Sequence, residues 1–190
     1  MANKPKKGQE ETPNSIQGRD LFQTPNYATE LLIPFIPKRI THIWECACGE
    51  KKISKVLYSH KYSCFNADLH SGINFLTSAF PWPSGKDRTA IVTNPPYSLK
   101  KKFYERCVYH EVPFALLIPA DYCGWIIDAL RLDEAEKIIP TRRIDFITPT
   151  GKSGKTGQTS YYHSLWLTWG FGLGKSETFV ELSLEDKKNI

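Results

Sequence analysis

The feature that most constrains this chain is the tetrad Asn94-Pro95-Pro96-Tyr97, which follows directly on the apolar run Ala90-Ile91-Val92-Thr93. Neither proline can donate to a sheet ladder, and each fixes its own φ. A strand over 89–93 must therefore stop at Asn94, and the chain must leave it on a stiff, preset course. A rigid polar turn at the carboxyl end of an apolar strand suits an open α/β sheet, where the ligand crevice lies outside the strand ends.

The pattern on either side supports that architecture. Strands are expected at Ile40–Ala47, Tyr62–Ala67, Thr89–Thr93 and Phe114–Ile118, with a short strand or turn at Ile73–Leu76. Helices are expected from about Glu50 to Ser59, from Leu99 to Tyr109 and over most of Trp125–Lys137. A further helix should start at Thr24-Pro25, with Thr24 as its cap and Pro34 as its stop. Apolar strands alternating with helices of about ten residues predict a mostly parallel sheet with helices on both faces. Ile144–Thr148 and Leu165–Trp169, with no helix between them, are expected to pair as an antiparallel edge hairpin. The first 19 residues are almost free of apolar side chains and read as a disordered tail. The domain itself is expected over 20–175, with a polar extension over 176–190.

The tetrad also has a chemistry. An adenine amino group is a poor nucleophile because its lone pair is delocalised into the ring. Two oxygen acceptors, the Asn94 side chain and the Pro95 carbonyl, would take both N–H hydrogens and free that lone pair. The prolines aim the carbonyl in advance, and Tyr97 offers a flat face for an extruded base. A second site is expected where the first strand ends, at Trp44-Glu45-Cys46-Ala47-Cys48-Gly49. There Gly49 would let backbone approach a ligand and Glu45 would bind an ammonium group. Asp68, after the next strand, would reach a ribose hydroxyl, though a plain strand-ending turn explains it too.

With these residues together, the chain resembles the short phage- and prophage-type adenine-N6 DNA methyltransferases, a branch of the class I amino-methyltransferases. The resemblance spans about Asp20 to Gly170. It rests on Asp20-Leu-Phe-Gln-Thr-Pro25, Trp44-Glu-Cys-Ala-Cys-Gly-Glu50, Ala67-Asp-Leu69 with Asn74-Phe-Leu76, and Thr93-Asn-Pro-Pro-Tyr97. It implies a Rossmann-like, seven-stranded sheet with a reversed hairpin, S-adenosylmethionine as cofactor and DNA as substrate. It further implies that Thr24 and Pro25 border the methionine end of the cofactor, with Glu45, Ala47 and Gly49 on its amino-acid moiety. Asp68 would hold the ribose, Asn74 would sit by the cofactor adenine, and Asn94 to Tyr97 would take the target base. The chain departs from the family in two places. Lys51 stands where a second glycine usually follows Gly49, and Asn74 replaces an aspartate. The same loop also serves enzymes acting on RNA or on protein glutamine, and Lys51 would suit a base-binding relative that has lost its cofactor.

Charge fits a polyanionic partner. The net charge is +5, and basic residues cluster after the tetrad (Lys100, Lys101, Lys102, Arg106) and late in the chain (Arg142, Arg143, Lys152, Lys155). Such residues give affinity for phosphates without reading sequence. Gly151–Thr156 imitates a phosphate-binding P-loop, but Pro149 stands where its first glycine is required. Five cysteines, an odd number, read as reduced thiols of a cytoplasmic protein. Cys46 and Cys48 lack a second ligand pair, so no metal is expected. The basic start, Met1–Gly8, has no apolar stretch of a signal peptide, and no run is long enough to cross a membrane.

Overall fold

The computed structural model describes residues 22–148 and 162–188. At the middle of its first half stands β1 (His42–Glu45), paired in parallel with β2 (Ser63–Asn66) on one side and β3 (Thr89–Thr93) on the other. Next to β3 runs β4 (Phe114–Pro119), again parallel. Beyond it, β6 (Ser164–Trp169) runs antiparallel between β4 and β5 (Glu136–Pro140). The sheet closes with β7 (Glu177–Val180), parallel to β5. The order is β2-β1-β3-β4-β6-β5-β7, so the expected mostly parallel, seven-stranded sheet with one antiparallel hairpin is present.

Helices cover both faces because both faces are apolar. Successive residues of β4 point to opposite sides: Ala115 and Leu117 join one core, Phe114, Leu116 and Ile118 the other. The first core is completed by α1 (Asn26–Glu30) and α2 (Lys52–Ser59), through Tyr27, Ala28, Ile53 and Leu57. The second is completed by α3 (Lys100–His110) and α4 (Gly124–Arg131), through Phe103, Cys107, Ile126 and Ala129. All six residues of β4 are buried, as a strand covered on both faces requires.

The late part of the chain differs from expectation in three ways. The helix expected over Trp125–Lys137 ends at Arg131, and Glu136 begins β5. Glu134 in a left-handed conformation, φ 57°, marks the turn between them. The strand expected at Ile144–Thr148 is instead an irregular segment that makes one isolated antiparallel bridge, Ile147 to Gln23. The hairpin partner of β6 is therefore β5. Finally, β7 lies in the stretch set apart as a polar extension. Its place is secured by an ion pair between the buried Lys137 and the partly exposed Glu177, with the Tyr122 hydroxyl accepting from Lys137 Nζ at 3.1 Å.

Smaller differences concern α1. Pro25, not Thr24, caps α1, and no side chain bonds to its first turn. Pro34 falls inside a short 3-10 turn, Ile33–Phe35. Of the two alternatives for 73–76, strand or turn, the structure has the turn. The calls made for the first 19 residues, for Lys152 and Lys155 and for the Gly151–Thr156 loop lie outside the described residues.

One buried group of the second core has a measurable consequence. His110 is 3% exposed, packed among Trp44, Phe75 and Phe80, and its Nε2 has no partner among the described residues. Burial, helped by the nearby Arg106 and Lys86 charges, pushes its pKa down from 6.5 to about 4. The unfolded chain takes up that proton first, so stability is lost as pH falls from about 6.5 toward about 4, by up to roughly 3 kcal/mol. His110→Phe should remove this contribution. Melting curves at pH ~7 and pH ~5 should show a larger acid-induced drop for the native chain than for the variant.

Candidate functional site

The loops that leave β1, β2 and β3 at their carboxyl ends enclose one cavity of about 900 Å³. Its position follows from strand order. The chain steps from β1 to β2 on one side and returns to β3 on the other, so the two loops diverge and leave a crevice at the reversal. Thr24, Glu45, Ala47, Gly49, Asp68 and Asn74 all line it, and so does Asn94. Seven of the residues singled out in the sequence are thus brought together in one space.

Glu45, the last residue of β1, is 1% exposed. Its Oε2 accepts the Ser54 amide at 3.0 Å and also meets the Ser54 hydroxyl, which lies against Asn66 Oδ1 as well. Burial raises the Glu45 pKa from 4.5 to about 7; the Ser54 bonds pull it down, Asp68 pushes it up and Lys51 lowers it. A cation entering the cavity would find a carboxylate ready to ionise.

The turn after β1 is tightly built. Gly49 sits at φ 45°, and its N–H donates to Asp68 Oδ2 at 3.0 Å. A Cβ on Gly49 would come within 2.9 Å of Gln23 Oε1, the same oxygen that accepts the Glu50 amide at 3.1 Å. Lys51 follows, also left-handed at φ 60°, immediately before α2. Asp68 meanwhile gives Oδ1 to the His70 amide at 2.9 Å and forms a reciprocal cap with Ser71. Both of its oxygens thus carry backbone bonds, which is the strand-ending role, while spare lone pairs still border the cavity. Asn74 makes a local turn, its Oδ1 accepting the Leu76 amide at 3.0 Å.

At the opposite wall, Asn94 follows β3. Its Oδ1 is buried and has no hydrogen-bond partner among the described residues. Buried acceptors are nearly always satisfied, so one that is orphaned beside a cavity awaits a donor. Pro95 is buried and Pro96 lines the cavity. Tyr97 is half-buried, its ring edge-on to Phe146 at 6.3 Å and its hydroxyl 3.4 Å from Ser164 Oγ. Neither Pro25 nor Tyr97 is among the lining residues. Gln23, Ser54 and Phe146 were given no part by sequence reasoning. Gln23 lay within a quoted motif, but Ser54 reaches Glu45 only through the packing of α2 on the sheet, which leaves no local signal.

The basic residues divide. Lys100 is turned inward to an ion pair with Asp121, and Arg106 donates to the Ser78 carbonyl at 2.6 Å. Lys101 pairs loosely with Glu105 at 3.6 Å. Lys102, Arg142 and Arg143 are exposed. The two arginines follow β5, whose end lies at the same edge of the sheet as Asn94, because β4 and β5 both run opposite to β6. Among the described residues no cluster of side chains could hold a metal ion, and no helix is long and apolar enough to cross a membrane.

No protein-family model and no curated protein matches the chain. Solved structures do. The fold is similar to that of the methyltransferase subunit of a type I restriction-modification system from Streptococcus thermophilus, with a TM-score of 0.56 and 13% identity. The match covers 85% of this chain and 47% of that one, so the chain spans about half the length of its structural relative. The sheet and its reversed strand are those of a Rossmann-like, class I methyltransferase fold.

The geometry around Gly49 gives a direct test of the cavity wall. Gly49→Ala would place a Cβ in a left-handed conformation and against Gln23, costing about 1–2 kcal/mol. Urea denaturation should show that loss.

Proposed function

We propose that this chain transfers a methyl group from S-adenosylmethionine to the N6 amino group of adenine in DNA. One observation supports the reading: Asn94, whose buried Oδ1 has no hydrogen-bond partner among the described residues, lines the same cavity as the buried Glu45 carboxyl and the Gly49 turn. An acceptor for an amine and a counter-charge for a cation thus face one space. About 900 Å³ lies within the range of ligand pockets. The donor set fits the cofactor, with Glu45 toward its ammonium group, Asp68 toward the ribose and Asn74 near the adenine. Bound there, it supplies a methyl carbon made electrophilic by its sulfonium sulfur.

The chain's own part is positioning and charge. Asn94 Oδ1 and the Pro95 carbonyl accept the two amino hydrogens and turn the nitrogen lone pair toward the donor side of the cavity. The N–C bond forms as the C–S bond breaks, and the extra proton leaves the product amine for water, so no side chain need act as base. Tyr97, steadied by Phe146, supplies the flat ring for the extruded base. Lys102, Arg142 and Arg143 meet phosphates, together with Lys152 and Lys155 of the late loop.

Incubation with labelled cofactor and unmethylated duplex DNA, followed by nucleoside analysis, should yield N6-methyladenine. Label found in RNA or protein instead would reject DNA as the substrate. Asn94→Ala should slow transfer by roughly 100- to 1,000-fold while cofactor affinity changes less than about 2-fold. Equal loss of both would place Asn94 in the wrong role.

Glu45 gives a pH test. The ammonium group binds the ionised carboxylate, but below about pH 7 the free protein carries the proton there. Affinity for S-adenosylmethionine should therefore fall as pH drops from about 7.5 to about 5.5, approaching 10-fold per unit. Glu45→Gln should bind weakly and with a flat profile, as calorimetry across that range would reveal.

A further inference from the structure

Lys51 departs from the family pattern, and its surroundings make it costly where it stands. Its backbone is left-handed, a conformation that disfavours any residue with a Cβ. It caps the start of α2, where the helix dipole repels cations, and Lys52 follows it. The first turn of α2 holds no acidic residue, and no side chain caps it. Lys51 is exposed, takes part in no ion pair among the described residues and lines the cavity. Glu45, a carboxyl group buried in the wall, ends the strand that leads into the same turn. Glu50, Asp68 and Lys52 line the cavity as well, so the Lys51 ammonium is a mobile cation at a mouth that also holds carboxyl groups.

A ligand with both an ammonium and a carboxylate would relieve both ends at once. Its ammonium would meet Glu45, and its carboxylate would meet the Lys51 ammonium at a helix start that favours anions.

We propose that Lys51 is a ligand-binding residue of this cavity that takes the α-carboxylate of the cofactor's amino-acid end, opposite Glu45. The assignment rests on the S-adenosylmethionine reading above. A side-chain ion pair at this position makes the carboxylate a condition of tight binding.

Titration calorimetry on the full chain tests it with three ligands: S-adenosylmethionine, its decarboxylated analogue, and 5′-methylthioadenosine, which lacks the amino-acid end. The native chain should bind the decarboxylated analogue on the order of 10- to 100-fold more weakly than S-adenosylmethionine. Lys51→Met should weaken S-adenosylmethionine by a similar factor and leave the decarboxylated analogue within about 2-fold. Lys51→Arg should restore most of the discrimination. Lys51→Gly, whose backbone suits the left-handed position, should fold at least as well as the native chain and bind like the methionine variant, separating recognition from folding. If the native chain binds S-adenosylmethionine and Lys51→Met binds both ligands unchanged, the proposal is overturned and the cofactor reading stands. A native chain that binds none of the three overturns both.

Discussion

The site depends on β1 having a parallel neighbour on each side. A parallel strand cannot be reached by a tight turn, so the chain must cross over a face of the sheet each time it returns. From β1 it crosses through α2 to β2; from β2 it crosses back past β1 to β3. The loops leaving β1 and β3 therefore point away from one another at their roots, and no side chain of the core can fill the gap between them. The cavity is a consequence of connection order, and the residues at its mouth are those that end β1, β2 and β3. Glu45, Asp68 and Asn94 are far apart in sequence, yet each falls within two residues of such an end.

That geometry explains why the first half of the chain could be read from its residues and the second half could not. In the first half each of β1, β2 and β3 is short and followed by a breaker: Gly49, Asp68, Pro95. The matching turns are local events, and local chemistry announces them. After β4 the information becomes non-local. Ile138 and Ile139 continue the apolar content of α4, and only the left-handed turn at Glu134 separates helix from strand. In β7, Phe179 is 66% exposed and Glu177 is polar, so the segment has no inward-facing alternation to betray it. It is a strand because β5 offers it a ladder and because Lys137, buried in β5, requires a counter-charge. The stretch 144–148 is the converse case. It has the apolar alternation of a strand, but its partner is a single residue of the N-terminal segment; its Asp145 amide donates to the Tyr27 hydroxyl and its Phe146 ring packs edge-on to Tyr97.

Buried polar atoms without partners occur at several places in this molecule, among them Trp44 Nε1, His110 Nε2 and Thr93 Oγ1. Each costs about 1–3 kcal/mol of desolvation, so orphaning alone does not mark a functional atom. Trp44 and His110 belong to an aromatic cluster whose packing offsets the penalty. Asn94 differs in being a residue that lines the cavity. The two prolines that follow it fix the course of the backbone, and with it the Pro95 carbonyl, when nothing is bound.

The distribution of charge completes this division of labour. Lys100 and Arg106, which follow the tetrad in sequence and look like a phosphate-binding run, are largely spent inside the fold, one clamping the end of β4 and the other holding the 78 loop. What faces outward is Lys102 at the start of α3 and Arg142 with Arg143 after β5. Both segments leave the sheet at the end where β3 delivers Asn94. A polyanion lying along that edge would be held at its phosphates while a single base turned inward, toward oxygens that offer it hydrogen bonds and no charge. Affinity and chemistry are then set by different residues, the first sensitive to salt and the second indifferent to it.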